Sequence, residues 1–121
     1  MSGGGAYPAE TAMIDEFSER LSSGAEPKVR ERSAAQLGDL LIGACKAGLD
    51  TTPIVLLLVR ALAREGDPVV QEEIAHSLAH LVEYGTVPDA IVGPLQECVP
   101  RLHREAAGHI ADVLEAARWD I

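Results

Sequence analysis

The stretch that decides the fold is Glu26-Pro-Lys-Val-Arg-Glu-Arg-Ser-Ala-Ala-Gln-Leu-Gly-Asp-Leu40, because a related stretch follows 41 residues later. The second stretch is Asp67-Pro-Val-Val-Gln-Glu-Glu-Ile-Ala-His-Ser-Leu-Ala-His-Leu81. An acid, a proline, a second acid and four apolar residues recur at the same positions in both. The matched pairs are Glu26/Asp67, Pro27/Pro68, Val29/Val70, Glu31/Glu72, Ala34/Ala75, Leu37/Leu78 and Leu40/Leu81.

Both copies begin with the signature of a helix start. A carboxylate placed before a proline can accept hydrogen bonds from the free N–H groups of the first turn, and proline suits a position where no N–H partner is needed. The matched apolar positions then follow at steps of five, three and three residues, close to one face of a helix. Two helices related in this way predict a stack of repeated units.

The pattern Asp/Glu-Pro-x-Val-x-x-x-x-Ala-x-x-Leu resembles the first helix of a HEAT-like, armadillo-type repeat. A third copy at 104–114 matches in part, lacks the acid–proline opening and arrives 32 residues after the second. The resemblance implies an all-α fold: a short right-handed α-solenoid of about two and a half HEAT-like helix pairs, with five to six helices. It also implies a concave face, lined by the second helix of each pair, of the kind that commonly binds other proteins.

We predict a flexible N-terminal lead over residues 1–8 and a single helical domain over 9–121. The wholly apolar run Ile54–Val59 predicts a helix that is buried on several sides. For the fifth helix, a start at Gly93-Pro94 is an alternative, and Trp119 is expected to cover the exposed edge of the last unit. The predicted helices span about 9–21, 27–47, 53–64, 67–84, 90–98 and 101–118.

The net charge of −9 narrows the possible partners. Nucleic-acid phosphates and anionic membrane surfaces need clustered Lys and Arg, so the sequence predicts neither partner. A basic partner, or solubility alone, fits the charge. Cys45 and Cys98 lie in apolar runs and are interpreted as small core residues, and without a signal peptide the sequence predicts a cytoplasmic protein.

One set of side chains suggests a metal site. Glu73, His76 and His80 have the spacing i, i+3 and i+7, which places them on one face of a helix, and imidazoles with a carboxylate suit zinc. His103 is a candidate to join them. The spacing is not that of a His-Glu-x-x-His metalloprotease helix, and a solvent-exposed polar helix face remains the alternative.

No pattern in the sequence indicates catalysis or a cofactor. The glycines at 3–5 lie outside any strand–loop–helix context that would cradle phosphate, and no nucleophile elbow is present. We therefore predict a chain that is not an enzyme and carries no cofactor.

Arginines on the expected inner face are the candidate partner-binding residues. The resemblance implies that they recognise an acidic or mixed peptide surface; the alternative is that they face solvent or pair with Glu65 and Glu97. These arginines are Arg60, Arg64, Arg101 and Arg104.

The predicted function is a non-enzymatic protein–protein interaction module or small scaffold that binds a partner protein through its repeat surface. One alternative is an inhibitor or immunity-type protein for a basic enzyme. Another is a metal-binding sensor or enzyme that uses the face formed by Glu73, His76 and His80. A homodimer that covers the apolar ends of so short a stack is a further possibility.

Overall fold

The computed structural model describes residues 8–22 and 24–119, with side chains from residue 12 onward. This part of the chain is all-α and contains no strand. The predicted lead falls mainly on residues 1–7, outside the described residues, whereas Pro8 already belongs to the first helix. The helices are α1 (Pro8–Arg20), α2 (Pro27–Ala47), α3 (Thr52–Arg64), α4 (Pro68–Tyr84), α5 (Asp89–Cys98) and α6 (Arg104–Trp119), with a 3-10 turn, Val99–Arg101, between the last two.

Helix α2 begins at Pro27 as predicted, although the side chain of its N-cap residue, Glu26, accepts no capping hydrogen bond, and α4 begins at Pro68, one residue later than predicted. Asp67 caps α4, and its Oδ1 accepts hydrogen bonds from the backbone N–H groups of Val69 at 2.9 Å and Val70 at 3.2 Å. Helix α2 ends at Gly48, whose φ of 72° is readily adopted only by a residue without a Cβ atom.

The predicted start of α3 is wrong by one residue. Thr51, not Thr52, occupies the N-cap position, and Thr52 is the first helical residue. The backbone N–H of Thr52 donates to Oδ1 of Asp50 at 3.0 Å, so the carboxylate rather than a threonine hydroxyl satisfies this end of the helix.

Helices α2, α4 and α6 lie side by side in one row. The Ser77 hydroxyl of α4 donates to the Ala34 carbonyl oxygen of α2 at 2.8 Å, and near the other end of α2 Cys45 meets Gly85. The contact residue on the α2 side moves from 34 to 45 as its partner on the α4 side moves from 77 to 85, so the two helices run parallel. The hydrogen bond between Gln71 and His103 and the ring contact between His76 and His109 advance in the same way, so α6 also runs parallel to α4, at an offset near 32 residues.

Helix α3 is the centre of the core. It contacts α1, α2, α4 and α5, which confirms the prediction of a helix buried on several sides. Little polar surface is buried there, because every inward side chain of α3 is aliphatic. The buried α3 residues are Ile54, Val55, Leu57, Leu58, Val59, Ala61 and Leu62.

Several residues predicted to face inward are exposed. Val29 and Leu40, which the sequence places on the apolar face of the first copy, are 42% and 37% exposed. The Trp119 side chain is 76% exposed and does not cover the last unit. Its indole Nε1 donates instead to Oε2 of Glu115, one turn back, at 3.0 Å.

Helix α5 continues through Pro94, so a start at Gly93-Pro94 is wrong. Proline removes the hydrogen bond that its N–H would donate to the carbonyl four residues earlier, at Ala90. Both Ala90 and Pro94 are exposed, so water can satisfy that carbonyl. Helix α6 begins at Arg104, later than predicted, because the 3-10 turn occupies the preceding residues.

None of the described helices is both long enough and apolar enough to span a bilayer.

Candidate interaction surface

An apolar groove opens at the end of the structure where α1, α2 and the start of α3 meet. Its volume is about 550 Å³. Leu40 and Leu49 are 37% and 65% exposed at this surface, which is unusual for large aliphatic side chains. The lining residues are Met13, Ile14, Asp39, Leu40, Gly43, Ala44, Leu49, Asp50, Pro53 and Ile54.

The charge of the groove is entirely acidic. Asp39 and Asp50 are the charged residues among those lining it in the described part of the chain, and none of these residues is basic. The backbone hydrogen bond from Thr52, and then a second from its side chain, lower the pKa of Asp50. Asp50 is therefore a carboxylate at neutral pH.

A largely buried ion pair joins the first turn of α2 to the turn before α4. Nε of Arg30 lies 2.8 Å from Oε1 of Glu65, and Nη2 donates to Oε2 at 3.0 Å, so the pair is bidentate. Nη1 of Arg30 also donates to the Ala25 carbonyl oxygen. Oε2 of Glu65 accepts the Asp67 N–H at 3.0 Å, so each of these charged groups is held by several partners.

Gln71 makes the corresponding link from the first turn of α4. Its Nε2 donates to the Glu65 carbonyl oxygen at 2.8 Å, and its Oε1 accepts the backbone N–H of His103 at 2.9 Å. Arg30 and Gln71 each lie three residues after the proline that opens their helix. Side chains at the same position of the two copies thus tie three successive turns together.

Arg101 stabilises α3 in the structure. Its Nη2 donates to the carbonyl oxygens of Leu62, at 3.1 Å, and of Ala63, in the last turn of α3. A cation at this position adds a donor to carbonyls of the last helical turn and complements the negative end of the helix dipole. This contact gives the Arg101 side chain a structural role that requires no partner protein.

The other three predicted arginines are exposed, and no hydrogen bond or ion pair of theirs is found within the described residues. Arg60 and Arg64 lie one turn apart on α3. Arg64 lines a small cleft with Glu65 at the carboxyl end of that helix. The groove lies at the other end, beside Pro53, roughly 16 Å away along the helix axis. Arg104 opens α6.

Three histidine rings meet on the row formed by α2, α4 and α6. The centroids of His76 and His80 lie 5.0 Å apart, and those of His76 and His109 lie 5.3 Å apart, both edge to face. Nε2 of His109 lies 3.9 Å from Oε2 of Glu72. The third ring therefore comes from α6, and it is His109 rather than the predicted His103.

Glu73 faces a different neighbour. It lines a shallow depression with Lys28 and Arg32 of α2, whereas His76 faces α6. Over residues 8–22 and 24–119, no three His, Cys, Asp or Glu side chains are grouped so as to hold a metal ion, and this includes Glu73, His76 and His80.

The histidine cluster predicts a pH dependence of stability. Burial, and next the neighbouring His76, lower the pKa of His80, against smaller opposing effects of Asp39 and Glu83. The unfolded state, with a pKa near 6.5, then binds more protons than the folded state, so stability should fall as the pH drops through about 6.5 towards the lower folded pKa. We expect His80→Gln to reduce the loss of melting temperature between about pH 7.5 and about pH 5.5.

His103→Gln is the matched control for this measurement, because His103 lies outside the cluster. It should leave the loss of melting temperature unchanged. Equal pH profiles for the wild type and His80→Gln would contradict the prediction.

Comparisons of the chain with protein-family models, curated proteins and solved structures gave no match. Function is therefore inferred from the residues and contacts of the chain itself.

Sequence reasoning missed the groove and the buried ion pair. No role is predicted for Arg30, and Glu65 is predicted only as a possible partner of the arginines on the expected inner face. A signal for the contact of Arg30 was present in the sequence. The repeat aligns Arg30 with Gln71, another long side chain with N–H donors. No comparable signal marks the groove, which is formed by residues from three helices.

Proposed function

We propose that this protein is a non-enzymatic protein-interaction module built as a short right-handed solenoid of about two and a half HEAT-like helix pairs. The parallel row of α2, α4 and α6 supports this architecture, with α3 packed against α1 and α5. So do the equivalent links of Arg30 and Gln71 between successive turns. In such stacks, each unit buries its apolar face against its neighbours, and the surface that remains is available to partners.

The observation that supports partner binding best is the apolar groove. Monomeric proteins rarely leave contiguous large aliphatic side chains exposed unless the patch binds something. Leu40 and Leu49, which are exposed at this open cleft, fit this description. The groove is formed by packed helices, so a partner would meet a preformed surface.

We place this activity in the cytoplasm and expect a protein partner rather than nucleic acid. The structure has Cys45 and Cys98 as free thiols, which suits a reducing compartment. The charge of −9 disfavours a polyanion.

The test compares two surfaces in a quantitative pull-down from the native host. We expect Leu40→Gln/Leu49→Ser to lose the captured partner, because it removes the apolar rim of the groove. Arg60→Glu/Arg64→Glu tests the arginine surface at the other end of α3. Val82→Ser is the matched control, since Val82 is an exposed aliphatic residue on α4 that does not line the groove.

Retention of every captured protein by both double variants would contradict the proposal. Loss with the arginine variant alone would move the binding site to the predicted arginine surface. Circular dichroism and sedimentation of each variant establish that it is folded and show whether it self-associates.

A further inference from the structure

We propose that the groove between α1, α2 and α3 binds an amphipathic helix of the partner that carries an apolar stripe flanked by Lys or Arg. This inference rests on the proposed function and adds to it the chemical nature of the partner segment.

The apolar part of the groove fits side chains that project from one face of a helix. Its volume of about 550 Å³ falls within the usual range of roughly 300–1,000 Å³ for binding clefts. Met13 and Ile14 of α1 form one wall, and Leu40 of α2 with Leu49 beyond it forms another. An open apolar groove between helices suits a docked helix that presents apolar anchors at i, i+3, i+4 and i+7.

The two carboxylates at the groove favour an occupant with positive charge. Asp39 belongs to α2, and Asp50 precedes α3, so acidic groups from two elements border the same apolar surface. The hydrogen bonds from Thr52 hold Asp50 in its charged form. A basic flank would be attracted to these groups, and an acidic flank would be repelled by them and by the charge of −9 on the whole chain.

The same charge argues against a second copy of this chain as the occupant. Another copy also carries −9, so close approach of two copies is opposed by repulsion at low salt. A basic helix of another protein meets no such barrier. The observations thus favour a heterologous partner over self-association.

The test uses three synthetic peptides, each about five helical turns long. The first places Leu on one helical face with Lys on both flanks. The second has the same Leu positions with Glu in place of Lys. The third has the composition of the first but alternates Leu and Lys, so it cannot form an apolar helical face. Fluorescence anisotropy at low and high salt measures the affinity of the full chain for each.

We expect the Lys-flanked helix to bind at least about tenfold more tightly than both other peptides. Asp39→Asn/Asp50→Asn should weaken this binding about fivefold and reduce its salt dependence, because both charges are removed. An asparagine at position 50 still has an oxygen that can accept the Thr52 N–H, so the start of α3 keeps its hydrogen bond. The matched control is Glu97→Gln/Asp112→Asn, which removes two exposed carboxylates from α5 and α6, helices whose described residues do not contact α1 or α2. It should change the affinity less than about twofold.

Four outcomes of the peptide measurements would overturn the inference: no binding of the Lys-flanked peptide, equal binding of the Glu-flanked peptide, equal binding of the alternating peptide, or equal weakening by the two carboxylate variants. The last would mean attraction to the whole chain rather than to the groove. A free protein that sediments as a dimer and is dissociated by Leu40→Gln/Leu49→Ser would identify a second copy as the occupant and would also overturn it. None of these results removes the proposed function if the host partner is still lost with Leu40→Gln/Leu49→Ser.

Discussion

Replacing Glu65 with alanine is expected to lower the free energy of unfolding by roughly 3–5 kcal/mol. The side chains of Arg30 and Glu65 are only 12% and 4% exposed, so the variant leaves a guanidinium group in a largely buried site without its counter-ion. It also removes the acceptor of the Asp67 N–H at the start of α4. Because small domains are stable by only about 5–15 kcal/mol, the loss should be visible as a large shift of the urea midpoint followed by circular dichroism.

Two further variants show whether the loss of stability comes from an unpaired buried charge or only from the loss of an ion pair. Glu16→Ala removes the carboxylate of the exposed pair with Arg20, 2.9 Å apart on α1, and should cost at most about 1 kcal/mol. Arg30→Met/Glu65→Leu removes both buried charges and should cost less than Glu65→Ala alone, since no charge is left unpaired. If Glu65→Ala cost no more than Glu16→Ala, the buried pair would not have the role assigned to it.

Two glycines of α2 are expected to respond to alanine with opposite signs. A Cβ at Gly38 would lie 2.5 Å from Oγ and 3.1 Å from Cβ of Ser77, where α2 and α4 approach closely. A Cβ at Gly43 would meet nothing within 4 Å. Gly38→Ala should therefore destabilise the protein by roughly 1–3 kcal/mol through overpacking, and Gly43→Ala should stabilise it by roughly 0.5–1 kcal/mol through helix propensity.

The same urea titration measures both variants. Their comparison cancels the intrinsic preference of alanine for a helix, which is common to both positions. In a Ser77→Ala background, which removes the nearest atom, Gly38→Ala should cost less than in the wild type. A stabilising Gly38→Ala would show that α2 and α4 are not pressed together at this point.

Local chemistry made most of the helices predictable. Pro27 and Gly48 mark the two ends of α2, and Asp67 with Pro68 marks the start of α4. The aliphatic run of α3 indicated burial on several sides because a helix without a polar face has no side to present to water. The all-α class follows from these signals, since each acts within one or two turns of the chain.

The features that define the surface depend on distances between elements, which a single sequence does not carry. Glu65 pairs with Arg30 across 35 residues, and His109 reaches His76 from another helix. Leu40 satisfies the spacing of an inward residue but lies at the open groove beside α1, so its side chain stays partly exposed. Periodicity identifies which residues share a face, and only the packing decides which face is covered.

The contact pattern also determines how a local defect spreads. Among the described residues, helix α1 touches only α2 and α3, and α6 touches only α4, α5 and the turn between α5 and α6, so these two end helices do not meet. Coupling between the ends must pass through α3 or α4, because one route runs from α1 through α2 and α4 to α6 and another from α1 through α3 and α5 to α6. A defect that loosened both central helices would uncouple the two ends, whereas fraying of α6 would leave the contacts of α1 with α2 and α3 in place.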